Sequence, residues 1–285
     1  MFRLVSVDGR AALQQGDDWF DLAALAGDAT LADPMVAVAR SDELHELQLR
    51  CSGTAPSGSI SDAVLDAPVP SPRQVFGIGL NYRDHAGESG MALPPAPLTF
   101  TKFPSSIAGP TADIPLSGTM VDWEVELVVV IGRTCTRVAR ADAWQHVAGL
   151  TVGQDVSDRA VQLTGTPPQF SLGKSFAAYS PIGPAVVSPD SLANRDDLEV
   201  WCDVSGVRKQ SARSSLLIFD VPTLVAYLSS ICVLYPGDLI FTGTPSGVGM
   251  ATNTYLTVGD VIDSGIEGIG SLRNVCVAGA GPMVL

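Results

Sequence analysis

Lysine and histidine are scarce in this chain of 285 residues, and negative charge exceeds positive charge. The sequence has 17 lysines and arginines against 30 aspartates and glutamates, which gives a formal net charge of −13. Because such a chain has no basic field to attract phosphate, nucleic acid and anionic membrane surfaces are excluded as expected partners. An anionic small-molecule substrate would need local positive charge.

Two further absences concern location and thiol chemistry. The N-terminus has no long apolar core and carries early charges, so we expect neither a signal peptide nor a transmembrane segment and predict a cytoplasmic protein. No two cysteines form a C-x-x-C pair, which favours reduced thiols over a disulfide framework or a thiolate zinc site. The cysteines are Cys51, Cys135, Cys202, Cys232 and Cys276.

The pattern along the chain predicts a mainly β (α+β) fold with peripheral helices. Most segments are short apolar runs separated by Gly, Pro and Asp turns. Residues 1–70 are expected to form a small N-terminal module and linker, since residues 51–72 are rich in Ser, Gly, Ala and Pro, and residues 71–285 a catalytic domain. Helices are predicted at 41–50 with Ser41 as N-cap, at 141–149, and from Pro222 with Asp220 as cap.

Three acidic residues stand where acidic residues are unusual. Glu124 and Glu126 lie two apart inside the apolar run VDWEVELVVVIG, and Asp155 follows in TVGQDVSDR. Because side chains alternate along a strand, both glutamates are predicted to share one face, with Trp123 and Val125 on the other. Their carboxylates would lie about 6.6 Å apart along the strand and would repel each other unless a cation lay between them. The pattern indicates a metal site.

The donor set restricts which metal this site would hold. A single glutamate in a strand is more typical of a salt-bridged residue, and the metal interpretation depends on the three carboxylates together. Three carboxylates suit the hard cations Mg²⁺ or Mn²⁺ before Ca²⁺, and no cysteine or paired histidine stands nearby to favour zinc. Magnesium would keep some water ligands, which leaves positions for a bidentate substrate.

A second constellation is His85 and Glu88 in NYRDHAGESGM. Their spacing of three would place both side chains on one face of a helical turn. A glutamate that orients an imidazole makes a general base that can take a proton from water near neutral pH. A lone histidine near a helix start is more often a surface residue, so the interpretation depends on its neighbours.

The scarce lysines and the glycine-rich segments need separate interpretations. Lys102 and Lys174 each lie in a Ser/Gly/Pro-bounded segment and are candidate site residues, whereas Lys209 is predicted to lie in a turn. Nucleotide binding is excluded, because the pair of glycines in 77–79 lacks the third glycine and the helix of a dinucleotide fingerprint. Residues 243–249 are predicted to form a tight loop that presents backbone N–H groups and the hydroxyl of Thr242 or Thr244 to a ligand.

Taken in order, these segments resemble the fumarylacetoacetate hydrolase family. The shared motifs are NY-x-DH-x-x-E, D-x-E-x-EL, QD with Ser and Arg, GKSF, P-x-GP, PGD-x-I-x-TGTP-x-GVG and IEGIG. They occupy residues 81–88, 122–127, 154–159, 173–176, 181–184, 236–249 and 266–270. The resemblance covers some three quarters of the chain, from about residue 75 onward.

The resemblance implies a mixed β-sandwich roll, a homodimer, and Mg²⁺ or Mn²⁺ at the positions that match Glu124, Glu126 and Asp155. The family's His–Glu dyad and active-site lysine match His85, Glu88 and Lys174. Two departures are expected near the substrate pocket. Residues 158–160 read Asp-Arg-Ala where many members have Ala-Arg-Asp, and Ala177 stands where many have aspartate.

The expected function is a metal-dependent hydrolase that cleaves a C–C bond in a 2,4-dioxo acid such as an acylpyruvate. The metal would bind the C1 carboxylate and the 2-oxo oxygen, so that pyruvate leaves as an enolate. His85, oriented by Glu88, would activate water, while Lys174 stabilises the oxyanion or holds the substrate's acid group. The further substrate-contact candidates are Arg83, Lys102, Gln162 and Thr244.

Three alternatives remain open on the sequence. The same site would serve an oxaloacetate decarboxylase, in which the C4 carboxylate leaves as CO₂ without water. It would also serve an isomerase or hydratase of 2-oxo-alkenedioates, which keeps the carbon skeleton. A metal-binding relative without catalysis is favoured only by Ala177 and the rearranged residues 158–160.

Overall fold

The computed structural model describes residues 1–84 and 93–280 of the chain. His85 and Glu88 therefore lie outside the described residues. Short β-strands dominate the described chain. They are β1 Arg3–Val7, β2 Arg10–Gln15, β3 Asp18–Asp21, β4 Gly58–Ser59, β5 Leu65–Asp66, β6 Val75–Gly79, β7 Leu98–Thr101, β8 Ile107–Ala108, β9 Ile114–Leu116, β10 Val121–Asp122, β11 Val125–Ile131, β12 Val147–Gln154, β13 Ser157–Asp158, β14 Ser180–Val187, β15 Glu199–Val204, β16 Val207–Arg213, β17 Leu239–Phe241, β18 Val261–Ile266 and β19 Gly270–Ala278.

The helices are short and lie between these strands. The α-helices are α1 Leu22–Ala26, α2 Pro34–Ala39, α3 Ser41–Cys51, α4 Arg159–Gln162, α5 Phe170–Gly173, α6 Val221–Ile231 and α7 Gly249–Thr252. Short 3₁₀ helices occupy Ala29–Ala32, Ile60–Asp62, Pro104–Ser106, Arg140–His146, Pro189–Ser191 and Ser214–Leu216. No helix in the described ranges is long and apolar enough to cross a membrane.

Most strands belong to one mixed sheet of 12 strands, with the order β4-β3-β2-β1-β14-β12-β11-β17-β6-β7 along its main path. A second sheet has five strands in the order β16-β15-β18-β19-β9. The predicted mixed α+β fold is confirmed. Strand β1 pairs antiparallel with β14, with Leu4 opposite Val186, so the N-terminal strands extend the main sheet. The predicted domain boundary near residue 70 stays a prediction.

Strand β11 separates two hydrophobic cores. Its two faces pack into different clusters of buried side chains, as the predicted alternation requires. One cluster contains Trp123, Val125, Leu127, Val129 and Ile131, and the other contains Val128 and Val130. The predicted strand is interrupted after Asp122, so that Glu124 lies in the break between β10 and β11.

Several local predictions need correction. The helix predicted at 141–149 is a 3₁₀ turn followed by β12, a strand that the sequence did not indicate, because all of its residues are buried and no polar alternation marks it. Ser41 is the first residue of α3, whose N-cap is Arg40. Lys209 lies within β16 and not in a turn. The predicted cap of α6 is confirmed, because Asp220 accepts a hydrogen bond from the Thr223 amide at 2.9 Å.

Burial makes the cysteine thiols poor nucleophiles. All five are free, and burial raises the pKa of Cys202 and of Cys276 to about 12 each. Because the thiolate is the reactive form, we expect a thiol-exchange reagent at about pH 8 to label at most the half-buried Cys232 in native protein and all five thiols after unfolding. Rapid labelling of Cys202 in native protein, located by peptide mass mapping, would contradict this expectation.

Candidate functional site

Pairing between β11 and β12 brings the three acidic residues together. The register places Val125 opposite Gln154, and the Asp155 amide donates to the Glu124 carbonyl at 2.8 Å. Asp155, which follows β12, therefore lies beside the break that carries Glu124. One carboxylate oxygen from each of Glu124, Glu126 and Asp155 lies within 4.8 Å of the others, and all three residues are buried. The prediction that these three carboxylates lie close together is confirmed.

Cations surround two of the three carboxylates. Lys174, which follows α5, donates to Glu124 at 2.8 Å, to Asp155 at 2.7 Å and to the Ser157 hydroxyl at 2.8 Å. Lys102 donates to the other oxygen of Asp155 at 2.5 Å and also to the Lys174 carbonyl. Every donor of the Lys174 ammonium is thus used within the cluster.

Arg159 lies on the other side of Glu124 and was not predicted as a site residue. Its guanidinium donates to Glu124 at 2.6 Å, to Asp122 at 2.8 Å and to the Gln162 amide oxygen at 2.8 Å. A signal for it exists in the sequence. Strand alternation puts Asp122 on the same face as Glu124 and Glu126, so a further buried carboxylate needs a cation of its own.

Glu126 differs from its two neighbours. Its carboxylate accepts a hydrogen bond from the Gly243 amide at 2.7 Å. Burial, together with the negative charges of Asp155 and Glu124, raises the pKa of Glu126 well above its usual range. For Lys174, burial works in the opposite direction to Asp155 and Glu124, and the two carboxylates prevail and raise its pKa. The pKa of Lys102 is lowered, mainly by its burial.

The donor set fits a hard divalent cation. Among the residues that the structure describes, three buried carboxylates converge with no cysteine or histidine in the cluster, which is the ligand chemistry of Mg²⁺, Mn²⁺ or Ca²⁺. Glu126 is separate evidence for a bound cation. Its charge is not matched by an ion pair in the described chain, whereas the charges of Glu124 and Asp155 are. A cation bound between the three would supply the missing charge.

The glycine-rich loop at 243–249 holds the acidic strand in place. The prediction that its N–H groups face a ligand needs correction at two positions: the Gly243 amide donates to Glu126, and the Gly249 amide donates to Asp122 at 2.7 Å. The Thr242 and Thr244 hydroxyls donate to backbone carbonyls of β11, each at 2.9 Å. The loop therefore fixes the carboxylates and the strand that carries them.

A cavity of about 200 Å³ lies beside the cluster. Its polar lining residues are Glu124, Glu126, Arg159, Gln162, Lys174 and Thr244. Its apolar lining residues are Ile78, Leu80, Leu98, Phe100, Leu163, Phe170 and Met250. A larger cavity of about 460 Å³, beside Arg140 and Trp144, contains none of the three clustered carboxylates.

The predicted substrate contacts differ in position. Gln162 and Thr244 line the cavity. Lys102 is 1% exposed and lies behind Asp155, outside the cavity lining, and Arg83 is exposed and does not line it either. Of the two departures from the family pattern, Ala177 lies in an exposed turn away from the cavity.

The other departure from the family pattern, at residues 158–160, places Asp158 where it stabilises the local structure. Asp158 caps α4 by accepting from the Val161 amide at 3.1 Å, and it accepts from the Ser117 hydroxyl at 2.5 Å. Both oxygens of this carboxylate thus have partners outside the cavity. The expectation that residues 158–160 and Ala177 alter the substrate pocket is not supported for Ala177 and Asp158, and Arg159 is the member of this segment that lines the cavity.

Comparison with known proteins agrees with the motifs. The mitochondrial oxaloacetate tautomerase of Homo sapiens is 41% identical over 221 residues, which cover 76% of this chain and 70% of that protein. Maleylpyruvate hydrolase from Sphingobium sp. SYK-6, solved with manganese(II) and pyruvate, is 28% identical, with a TM-score of 0.82 and coverage of 97% of this chain and 99% of that one.

A third similar protein, also a solved structure, has a name that indicates a different activity. The 2-hydroxyhepta-2,4-diene-1,7-dioate isomerase from Mycobacterium marinum is 30% identical, with a TM-score of 0.76 and coverage of 98% of this chain and 100% of that one. Residues 74–277, which contain all three carboxylates, match the fumarylacetoacetate (FAA) hydrolase C-terminal family. The ordered motifs, the fold and this match together show that the chain belongs to the fumarylacetoacetate hydrolase family.

Proposed function

We propose that this protein is a metal-dependent hydrolase that cleaves a C–C bond in a 2,4-dioxo acid. The observation that carries the proposal is the buried cluster of Glu124, Glu126 and Asp155, of which the two glutamates line a cavity together with Lys174 and Arg159. The manganese and pyruvate bound to the maleylpyruvate hydrolase relative support a divalent metal and a 2-oxo acid at this kind of site.

Mg²⁺ or Mn²⁺ is the proposed cofactor, held by the three carboxylates. A divalent cation there supplies Lewis-acid stabilisation for the enolate of a 2-oxo acid. Lys174 and Arg159 add positive charge beside the same space, where the substrate carboxylate would lie. The Arg159 guanidinium also holds the Gln162 side chain by its amide oxygen, which positions Gln162 as a substrate contact.

His85 is the proposed general base, oriented by Glu88. It would take a proton from a water molecule as the oxygen attacks C4 of the substrate. The C3–C4 bond then breaks, its electron pair forms the pyruvate enolate, and a proton returned to C3 gives pyruvate together with a carboxylic acid. The described residues that precede His85 in the chain contact the glycine-rich loop, because Ser246 donates to Asp84 at 2.9 Å and Asn81 donates to the Thr242 carbonyl at 2.7 Å.

The dyad gives a direct test of hydrolysis. We expect His85→Ala to lower the rate of pyruvate release from acetylpyruvate by about 100-fold to 10⁴-fold, because general-base catalysis contributes that much, while the affinity for Mn²⁺ is retained. Lactate dehydrogenase would report pyruvate, and titration calorimetry would report Mn²⁺ binding. His45→Ala is the matched control, since His45 contacts the N-terminus and lies outside the cavity. Undiminished turnover in His85→Ala would rule out this base.

Keto–enol tautomerisation of oxaloacetate is the second candidate, favoured by the tautomerase relative at 41% identity. It uses an enolate of the same 2-oxo acid type, here that of oxaloacetate itself, and needs only proton transfer between C3 and the C2 oxygen. Decarboxylation of oxaloacetate and isomerisation of a 2-oxo-alkenedioate also pass through an enolate of a 2-oxo acid. Mass spectrometry identifies hydrolysis, which adds water and splits the carbon chain, and decarboxylation, which releases CO₂. Tautomerisation and isomerisation leave the mass unchanged, so ultraviolet absorbance of the enol would follow the first on oxaloacetate and absorbance of the conjugated double bonds the second on a 2-oxo-alkenedioate.

A homodimer is the proposed biological form, on the family resemblance, and the cytoplasm is its proposed location, on the charged N-terminal sequence. Size-exclusion chromatography with light scattering would test the dimer. A single species with the 29.7 kDa mass of one chain would contradict it.

A further inference from the structure

We infer that the cavity beside the carboxylate cluster accepts an apolar acyl group and disfavours a substrate with a second carboxylate. The inference rests on the proposed function, because it concerns the part of the 2-oxo acid that extends away from the metal site. It names the class of substrate that this chain would select.

Two glycines of β6 leave space for large apolar side chains that line the cavity. We call these side chains the apolar wall: Leu98, Phe100, Leu163 and Phe170. Strand β6 pairs antiparallel with β7, with Gly77 opposite Phe100 and Gly79 opposite Leu98. A Cβ atom on Gly77 would lie 2.3 Å from the Phe100 ring, and one on Gly79 would lie 3.2 Å from Leu98. Side chains at both glycines would therefore displace the residues that line the cavity. This gives the Gly-Ile-Gly pattern of residues 77–79 a role in packing.

Further apolar side chains complete the wall. The Phe170 ring meets the Phe100 ring edge to face at a centroid distance of 5.8 Å, and the Lys174 ammonium lies 5.0 Å from the centre of the Phe100 ring. Leu98 and Leu163 are 43% and 48% exposed although both line the cavity. Large aliphatic side chains that remain exposed together beside a cavity are typical of a surface that a ligand covers.

The charges near the cavity balance a single substrate carboxylate. Arg159 and Lys174 are the cations of the lining within the described ranges, and both are paired with Glu124 of the cluster. Counted with the ion-pair partners outside the lining, there are four carboxylates and three cations. The carboxylates are Asp122, Glu124, Glu126 and Asp155, and the cations are Lys102, Arg159 and Lys174. A divalent ion would leave one net positive charge, which the C1 carboxylate of a 2-oxo acid neutralises. A second carboxylate would lie against apolar side chains and lose its hydration without a partner.

Binding of 2-oxo acids that cannot be hydrolysed tests this preference apart from catalysis. With Mn²⁺ present, titration calorimetry would compare 2-oxobutanoate, 2-oxopentanoate and 2-oxohexanoate with 2-oxopentanedioate. We expect Kd to fall about fourfold for each added methylene, and 2-oxopentanedioate to bind at least about tenfold more weakly than 2-oxopentanoate. Equal or tighter binding of the diacid would overturn the inference and leave the proposed function standing. No binding of any 2-oxo acid would overturn both.

A variant at the exposed rim tests the wall itself. Leu163→Arg would add a cation where Leu163 now lines the cavity, and we expect it to improve 2-oxopentanedioate binding relative to 2-oxopentanoate by at least about tenfold. Leu163→Met is the matched control and should keep the preference of the unmodified protein. An unchanged ratio in a folded Leu163→Arg protein, shown by an unaltered melting temperature, would mean that the wall does not contact the far end of the ligand, and would overturn the inference.

Discussion

Asp155→Asn is expected to destabilise the metal-free protein by about 3–5 kcal/mol, the usual cost of removing one partner of a buried ion pair. Asp155 is fully buried, and its two oxygens accept from Lys102 at 2.5 Å and from Lys174 at 2.7 Å. Asparagine would leave two buried ammonium groups short of a counter-charge. Because Asp155 is also a proposed metal ligand, we expect metal binding and turnover to be lost as well.

Two measurements separate these effects of Asp155→Asn. Urea denaturation without metal gives the free energy of unfolding, and calorimetry at low temperature gives Mn²⁺ affinity for the folded fraction. Asp238→Asn is the control, because Asp238 is a buried aspartate that accepts from Gln74 and Tyr235, away from the cluster. It should lower stability and keep Mn²⁺ binding. An Asp155→Asn protein with unchanged stability would show that the lysine contacts do not form in solution.

The sequence predicted the acidic cluster because strand alternation is a strict rule. Glu124 and Glu126 had to share a face once the apolar run was assigned to a strand, and Asp155 was grouped with them as a third carboxylate before the family motif was considered. The same rule failed for β12, the strand that positions Asp155, because a strand buried on both faces shows no alternation. The sequence therefore predicted Asp155 but not β12, the strand that positions it.

The arrangement of cations was beyond the reach of the sequence pattern. Lys102 and Lys174 stand 72 residues apart in the chain and meet in the structure, and no local pattern shows that one lies in the cavity and the other behind Asp155. Arg159 is similar, since its contact with Glu124 depends on how α4 follows β13. The wall around Phe100 also depends on long-range packing, because it needs the register between β6 and β7.

Glu126→Gln is expected to have the opposite effect on the metal-free protein to Asp155→Asn. Glu126 lies among negative charges, and the hydrogen bond that it accepts from the Gly243 amide can be kept by the glutamine carbonyl. Removal of a buried negative charge beside two others relieves repulsion. We therefore expect the free energy of unfolding without metal to stay the same or to rise, while kcat/KM for acetylpyruvate falls by at least about 100-fold.

Thermal unfolding with and without Mn²⁺ tests whether Glu126 is a metal ligand. A ligand that binds only the folded state raises the melting temperature, so the unmodified protein and the exposed control Glu46→Gln should both show a rise with added Mn²⁺. Glu126→Gln should show none. If Glu126 were instead a salt-bridged residue of the strand, the alternative that the sequence leaves open, the substitution would destabilise the metal-free protein and leave the response to Mn²⁺ intact. The two interpretations therefore predict opposite results in both halves of one experiment.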